Sequence, residues 1–97
     1  MFARLTIAQG MINKLDESIK IYEDSIIPAA KSQKGFQGAY LLTDRNIGKF
    51  ISCTLWDSED DAFANEQSGY YQKQIDKLKD FLTEPPVREG YEVSVQV

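Results

Sequence analysis

The spacing of apolar residues changes several times along the chain, and each change predicts a new element. Four stretches are predicted as strands, the last of them a clean alternation of apolar and polar residues: 2–8, 36–43, 49–56 and 90–97. Between the first two strands, apolar residues step by three and four from Ile12 to Ile26, which predicts a helix over 13–32. Because Pro28 removes a helical hydrogen bond, we expect a kink or a loosened turn there.

A second helix is predicted after the third strand, with an interruption. Ser58 is a natural N-cap, and Asp61 three residues later completes a pattern like a capping box. Ser68-Gly69 breaks the helix, and a second piece over 70–82 carries its own apolar stripe until Pro85-Pro86 stops it. The order strand, helix, strand, strand, helix, strand is the ferredoxin-like βαββαβ pattern. We therefore predict one α+β domain over 1–97, with a four-stranded antiparallel sheet and both helices on one face.

Alternate strand positions form two different sheet faces. One set is strongly apolar: Leu5, Ile7, Ile51, Cys53, Leu55, Val93 and Val95. The other set is mixed: Arg4, Thr6, Phe50, Ser52, Thr54, Trp56, Ser94 and Gln96. We expect the apolar set to meet the helices and the mixed set to meet a second sheet, to line a cavity, or both. Strand register decides on which side a cavity opens, since a shift of one residue exchanges the faces.

The composition of the chain disfavours several classes of function. The formal net charge is −4 and the basic residues are scattered, which disfavours nucleic-acid binding. No apolar run is long enough to span a bilayer and no secretory leader pattern is present, so we expect a cytoplasmic protein without a membrane role. The one cysteine, Cys53, is read as a small hydrophobe in preference to a reactive thiol.

Histidine is absent from the chain, which removes the commonest general base and metal ligand. Histidine-dependent catalytic triads and histidine-ligated zinc or iron are therefore excluded. Three acids, Glu59, Asp60 and Asp61, stand together. The first turn of a helix favours such acids, so this position explains them better than a metal site does. We expect no metal.

Three stretches of the chain resemble the antibiotic-biosynthesis monooxygenase-like family of dimeric α/β barrels. They are IIPAAKSQKGFQGAYLLTD at 26–44, FISCTLWDSEDDAFA at 50–64, and the break SGYY at 68–71. The likeness spans about residues 1–95. It implies a homodimer formed through the open sheet face and, at Trp56, an aromatic wall for a small-molecule pocket. Haem-degrading members of the superfamily use a first-strand asparagine and a histidine, and this chain has neither.

The resemblance implies a cofactor-independent monooxygenase acting on a small aromatic or quinone-type molecule. Such an enzyme stabilises an oxyanion and excludes water while the substrate supplies the electrons. The candidate catalytic residues are Arg4, Tyr40 and Trp56. The candidate substrate-binding residues are Thr6, Tyr22, Phe50, Ser52, Asn65 and Tyr71. Arg45 and Gln67 are alternatives to Arg4 and Asn65 in these roles.

Structural explanations compete with each of these roles. Tyr22 and Tyr71 lie on helical stripes and would serve as core residues, and Trp56 would simply plug the mouth of a barrel. Arg4 would pair with Glu89 or Glu92 across a subunit interface. The alternative function is a non-catalytic module of the same fold that binds a small molecule or dimerises.

Overall fold

The computed structural model describes residues 1–97 as four antiparallel strands with both helical segments on one face. The strands are β1 (Phe2–Gln9), β2 (Phe36–Asp44), β3 (Lys49–Trp56) and β4 (Val87–Glu92). Their order across the sheet is β2-β3-β1-β4, so β2 and β4 are the edges and the sheet is not closed within the chain. This is the predicted ferredoxin-like arrangement. No helix is long and apolar enough to cross a membrane.

The first helical segment covers residues 12–31 and changes its winding three times. A 3₁₀ turn (Ile12–Lys14) leads into α1 (Leu15–Ile21), a π-helical turn (Tyr22–Ile26) and α2 (Ile27–Lys31). The amide of Ile27 donates to the carbonyl of Tyr22, five residues back, which is the π-helical pattern. The loosened turn expected near Pro28 therefore takes the form of a π-helix just before it.

The second helical segment covers residues 59–81 and is broken where the sequence predicted. It consists of α3 (Glu59–Gln67), α4 (Tyr70–Asp76) and a 3₁₀ turn (Lys79–Phe81). The Ser58 hydroxyl accepts a hydrogen bond from the Asp61 amide at 3.2 Å, which confirms Ser58 as the N-cap. Gly69, with φ +86°, separates α3 from α4 in the left-handed region that favours glycine.

The helices cover the opposite sheet face from the one expected. Thr6, Phe50 and Trp56 are buried beneath them, at 8%, 4% and 4% exposure. Leu5 pairs with Cys53 and Ile7 with Ile51 on the other face, where no helix packs. The prediction that the apolar set meets the helices is wrong. The helical stripes bring their own apolar side chains, so the small hydroxyl and aromatic residues of the mixed set complete that layer.

The predicted fourth strand is present as β4 at Val87–Glu92, but its predicted bounds of 90–97 are wrong. Val87 pairs with Ile7, and Glu92 pairs with Phe2, which is the first residue of β1. Beyond Glu92 the antiparallel strand β4 therefore has no partner strand. Only the Val93 amide reaches further, to the Met1 carbonyl at 3.0 Å. Residues 94–97 keep the alternating pattern but extend past the end of their partner strand, and Val95 is 82% exposed.

Candidate functional site

A cavity of about 70 Å³ lies between the sheet and both helical segments. Thirteen of its 21 lining residues are hydrophobic. Seven of them come from alternate positions of β1 and β3: Arg4, Thr6, Ala8, Phe50, Ser52, Thr54 and Trp56. The mixed sheet face therefore forms the floor of the cavity. The period-two alternation of a strand directs all of these side chains to one side.

Trp56 closes one end of the cavity at the junction between β3 and α3. Its indole N–H donates to the Thr54 hydroxyl at 2.9 Å, so its polar atom is satisfied. Its ring meets Phe36 edge to face, with centroids 5.6 Å apart and an interplanar angle of 76°. The indole is 4% exposed and clusters with Phe2 and Ala62. It is therefore a fixed aromatic wall.

Arg4 is held by Glu66, which the sequence did not single out. The Arg4 Nη2 donates to both carboxylate oxygens of Glu66, at 2.6 and 2.9 Å, and the two side chains are 14% and 8% exposed. Arg88 approaches the same carboxylate at 3.7 Å. Within the chain Arg4 therefore pairs with Glu66 and not with Glu89 or Glu92, because it extends from the helix side of β1 towards α3. The predicted pairing with Glu89 or Glu92 across a subunit interface stays a prediction.

Strand β4 makes room for that ion pair. Gly90 lies opposite Arg4, and a Cβ there would collide with the Arg4 Nη1 and the Phe2 ring. The Arg4 guanidinium lies 5.2 Å from the centre of the Phe2 ring. The Arg4 charge is thus neutralised by a buried carboxylate, which leaves no free cation inside the cavity lining.

Two pairs of hydroxyl groups join the sheet to the helices across the cavity. The Thr6 and Tyr71 hydroxyls are 2.6 Å apart, and those of Tyr22 and Ser52 are 2.8 Å apart. Burial raises the pKa of both tyrosines, although these hydrogen bonds partly oppose the shift. At neutral pH the two phenols are therefore protonated and available as hydrogen-bond donors.

Tyr70 also lines the cavity and was missed by the sequence analysis. Burial, with a smaller contribution from nearby Tyr22, raises the pKa of Tyr70 to about 12. The sequence feature that could have indicated Tyr70 is the break at Ser68-Gly69, because it places the first residue of α4 beside the cavity. Periodicity pointed to Tyr71 instead, and the structure places both tyrosines in the lining.

Two lining residues each keep a buried polar atom without a hydrogen-bond partner. The Asn65 side-chain amide donates to the Asp61 carbonyl at 2.8 Å, while its Oδ1 accepts nothing. The Nε of Arg4 likewise has no acceptor. Unpaired buried polar atoms are rare, and each costs free energy.

Eight of the nine candidate residues line this cavity, and Tyr40 does not. Tyr40 pairs with Cys53 on the helix-free face and is 61% exposed. Arg45, the alternative to Arg4, is on the surface in an ion pair with Asp16 at 2.9 Å. No group of three or more metal-ligating side chains is present.

Comparison with solved structures supports the fold. A monooxygenase from the gene ActVA-Orf6 of Streptomyces coelicolor, crystallised with nanaomycin D, superposes with a TM-score of 0.81, over 99% of this chain and 89% of that one, at 12% identity. A candidate antibiotic biosynthesis monooxygenase from Nitrosomonas europaea has a TM-score of 0.77, over 98% and 100% of the chains, at 16% identity. This chain has the fold of the antibiotic biosynthesis monooxygenase-like proteins.

The same fold also occurs without an assigned reaction. The NE2512 protein of unknown function from Nitrosomonas europaea has a TM-score of 0.76, over 99% of this chain and 91% of that one, at 14% identity. No protein-family model matches the chain. Two uncharacterized Mycobacterium tuberculosis proteins, MT2634 and Rv2557, are 33% identical over 57 residues, which is 59% of this chain but only a quarter of their length. Function must therefore be argued from the site.

Proposed function

We propose that the chain is a cofactor-independent monooxygenase-like enzyme acting on a small aromatic or quinone-type molecule in the cavity between the sheet and the helices. The observation that carries the proposal is the lining itself. It is mostly apolar, it is walled by the Trp56 indole, and its hydroxyl groups are held in pairs. A site of this kind excludes water and orients one aromatic ring, which is what oxidation by dioxygen without a cofactor requires.

The substrate and dioxygen together supply all the atoms and electrons that the reaction needs. An electron-rich phenol bearing an activated CH₂ group loses a proton, and its carbanion-like form is oxidised by O₂. One oxygen atom becomes a carbonyl on that carbon and the other leaves as water, so CH₂ and O₂ give C=O and H₂O. The protein has to stabilise the anionic form and keep bulk water away.

The residues of the cavity can share this work. Trp56 and Phe50 would stack against the ring, and Tyr22 and Tyr71 would donate hydrogen bonds to its oxygens. Glu66 is the one carboxylate in the lining, so it is the candidate proton acceptor. Both of its oxygens already accept hydrogen bonds from Arg4, so a substrate proton would have to compete with that guanidinium. Arg4 lines the cavity, so its guanidinium is the candidate donor to the oxyanion.

Oxygen uptake tests the proposal directly. The wild type should consume dioxygen above the buffer rate with one or more anthrone-like or hydroquinone-like compounds, and Trp56→Phe should lower the rate about tenfold or more through lost stacking and positioning. Phe63→Leu, at an exposed aromatic outside the cavity lining, is the matched control and should keep the wild-type rate. Circular dichroism establishes that each variant is folded.

Failure would take one of two forms. Uptake no faster than buffer across the whole panel would contradict the enzyme. A wild-type rate in Trp56→Phe would remove Trp56 from the mechanism.

One observation favours the alternative, a module that binds a small molecule without turnover. The cavity of about 70 Å³ is smaller than the cavity of about 150 Å³ that holds benzene in an engineered protein. An aromatic ring can therefore enter only if side chains move. Ligand binding without oxygen uptake would favour this second function.

The helix-free sheet face supports the proposal of a homodimer. Tyr40, Leu42, Val87 and Tyr91 project from it and are each more than half exposed. A contiguous apolar surface of this kind is rare on a monomer and typical of an interface. Light scattering at micromolar concentration should give twice the 11.0 kDa chain mass, and Leu42→Lys should give the monomer. A monomeric wild type would contradict the dimer.

A further inference from the structure

A second opening lies directly beside the cavity. It is a groove of about 590 Å³ between the first helical segment and the edge strand β2. The linings of the groove and the cavity have two residues in common, Tyr22 and Ile27. The two spaces are therefore separated by two side chains.

One side-chain hydrogen bond holds the larger of these two residues in place. Tyr22 begins the π-helical turn, and its hydroxyl is held by the Ser52 hydroxyl at 2.8 Å. Ile27 follows the turn and is only partly buried. Rotation of the Tyr22 ring would break one neutral hydrogen bond and no backbone bond. π-Helical turns are frequently found at functional sites, which is consistent with a gate at this position.

The sizes of the two spaces are complementary. The cavity admits an aromatic ring only if side chains move, whereas the groove already falls within the range of about 300–1,000 Å³ that ligand pockets occupy. The walls of the groove are largely aliphatic and aromatic: Ile19, Ile27, Phe36, Ala39 and Leu41. Its two ionised side chains, Glu23 and Lys31, are exposed and of opposite sign. The groove therefore suits an uncharged apolar group.

We propose that the cavity and the groove are the two halves of one ligand site, divided by Tyr22 and Ile27. The ligand class is a neutral molecule with a small hydroxylated aromatic head and an unbranched apolar tail. The head enters the cavity and the tail lies in the groove along β2. This inference rests on the proposed function, because the head occupies the cavity described there.

A series of phenols tests the arrangement, from phenol itself to 4-hexylphenol. Trp56 is the one tryptophan in the chain and lines the cavity, so its fluorescence reports occupation of the head site. If the tail is buried in the groove, affinity should rise by up to about fourfold for each added methylene, the value that corresponds to about 0.8 kcal/mol of transfer free energy.

Ala39→Phe is the test variant, because Ala39 lines the groove from β2 and an aromatic residue is well tolerated in a strand. It should bind phenol like the wild type but lose the increase with tail length. Ala64→Phe places the same side chain on an exposed position of α3 that lines neither space, and it should behave like the wild type.

The outcomes separate this inference from the proposed function. A wild-type affinity that does not change with tail length overturns the groove as a tail site, while phenol binding still supports the cavity. An increase that persists in Ala39→Phe also overturns it, because the tails then bind elsewhere, such as the helix-free face. Failure of phenol to change Trp56 fluorescence, together with tail-dependent binding that Ala39→Phe removes, supports the groove and contradicts the cavity as a head site.

Discussion

The buried ion pair between Arg4 and Glu66 makes a sharp prediction about stability. Glu66→Leu removes the carboxylate and leaves the Arg4 guanidinium, 14% exposed, without its partner. Arg4→Met removes the guanidinium but keeps its hydrocarbon volume, and it leaves Glu66 with Arg88 still at 3.7 Å. The two single changes should therefore differ in cost.

The magnitudes follow from burial. Removing one partner of a buried pair costs about 3–5 kcal/mol, because the remaining charge is not compensated. We expect about 3 kcal/mol for Glu66→Leu, the low end, because Arg4 retains its contact with the Phe2 ring and some solvent. For Arg4→Met we expect about 2 kcal/mol, since Arg88 can move in to pair with Glu66. The double variant should cost about 2 kcal/mol, so the pair should show a coupling of about 3 kcal/mol.

Urea unfolding followed by Trp56 fluorescence measures these values, because Trp56 is 4% exposed in the native state. All four proteins should be compared at one protein concentration, since the unfolding of a dimer depends on concentration. Additive single effects, with a coupling below about 0.5 kcal/mol, would refute the reasoning. So would a larger cost for Arg4→Met than for Glu66→Leu, because Arg88 would then give Glu66 no support.

Three further predictions concern other parts of the structure. Thr6→Val should cost about 1–3 kcal/mol in thermal unfolding by leaving the Tyr71 hydroxyl unpaired, and adding Tyr71→Phe should recover part of the loss. Ser58→Ala should lower stability by about 1 kcal/mol, because the Asp61 amide loses its cap. The Tyr70 phenol has a pKa of about 12 in the native chain against 10.0 unfolded, so the stability it contributes is complete below pH 10 and is lost between pH 10 and 12. Urea unfolding should show a smaller loss over that interval in Tyr70→Phe than in the wild type.

Local rules predicted the elements well. The Ser58 cap, the break at Ser68-Gly69 and the looseness near Pro28 each depend on residues a few positions apart, and each is present. The position of Trp56 at a strand-to-helix junction could likewise be predicted from neighbouring residues. The ends of the last strand could not be predicted from neighbouring residues, because they depend on how far its partner β1 extends.

The partner of Arg4 shows why the site was harder to predict than the fold. Glu66 is 62 residues away in sequence and reaches Arg4 only because α3 crosses the sheet above β1. Glu89 and Glu92 lie on the neighbouring strand within two residues of the position opposite Arg4, yet within the chain neither of them binds Arg4. Neither acidity nor spacing distinguishes Glu66 from the other carboxylates of the chain; only the packing of a helix on a strand does.

The exchange of the two sheet faces has a functional consequence. In a sheet with one solvated face, the more apolar set of residues packs under the helices. Here both faces are apolar enough to be buried, so alternation alone does not decide between them. The hydroxyl groups of Thr6 and Ser52 pair with the helical tyrosines Tyr71 and Tyr22, which accommodates the mixed set under the helices. The strongly apolar set, including Leu5 and Ile51, is then left for contact with a second chain. The proposed pocket and the proposed dimer are thus both consistent with one choice of face. A monomeric wild type would leave the exposed apolar set unexplained without affecting the pocket.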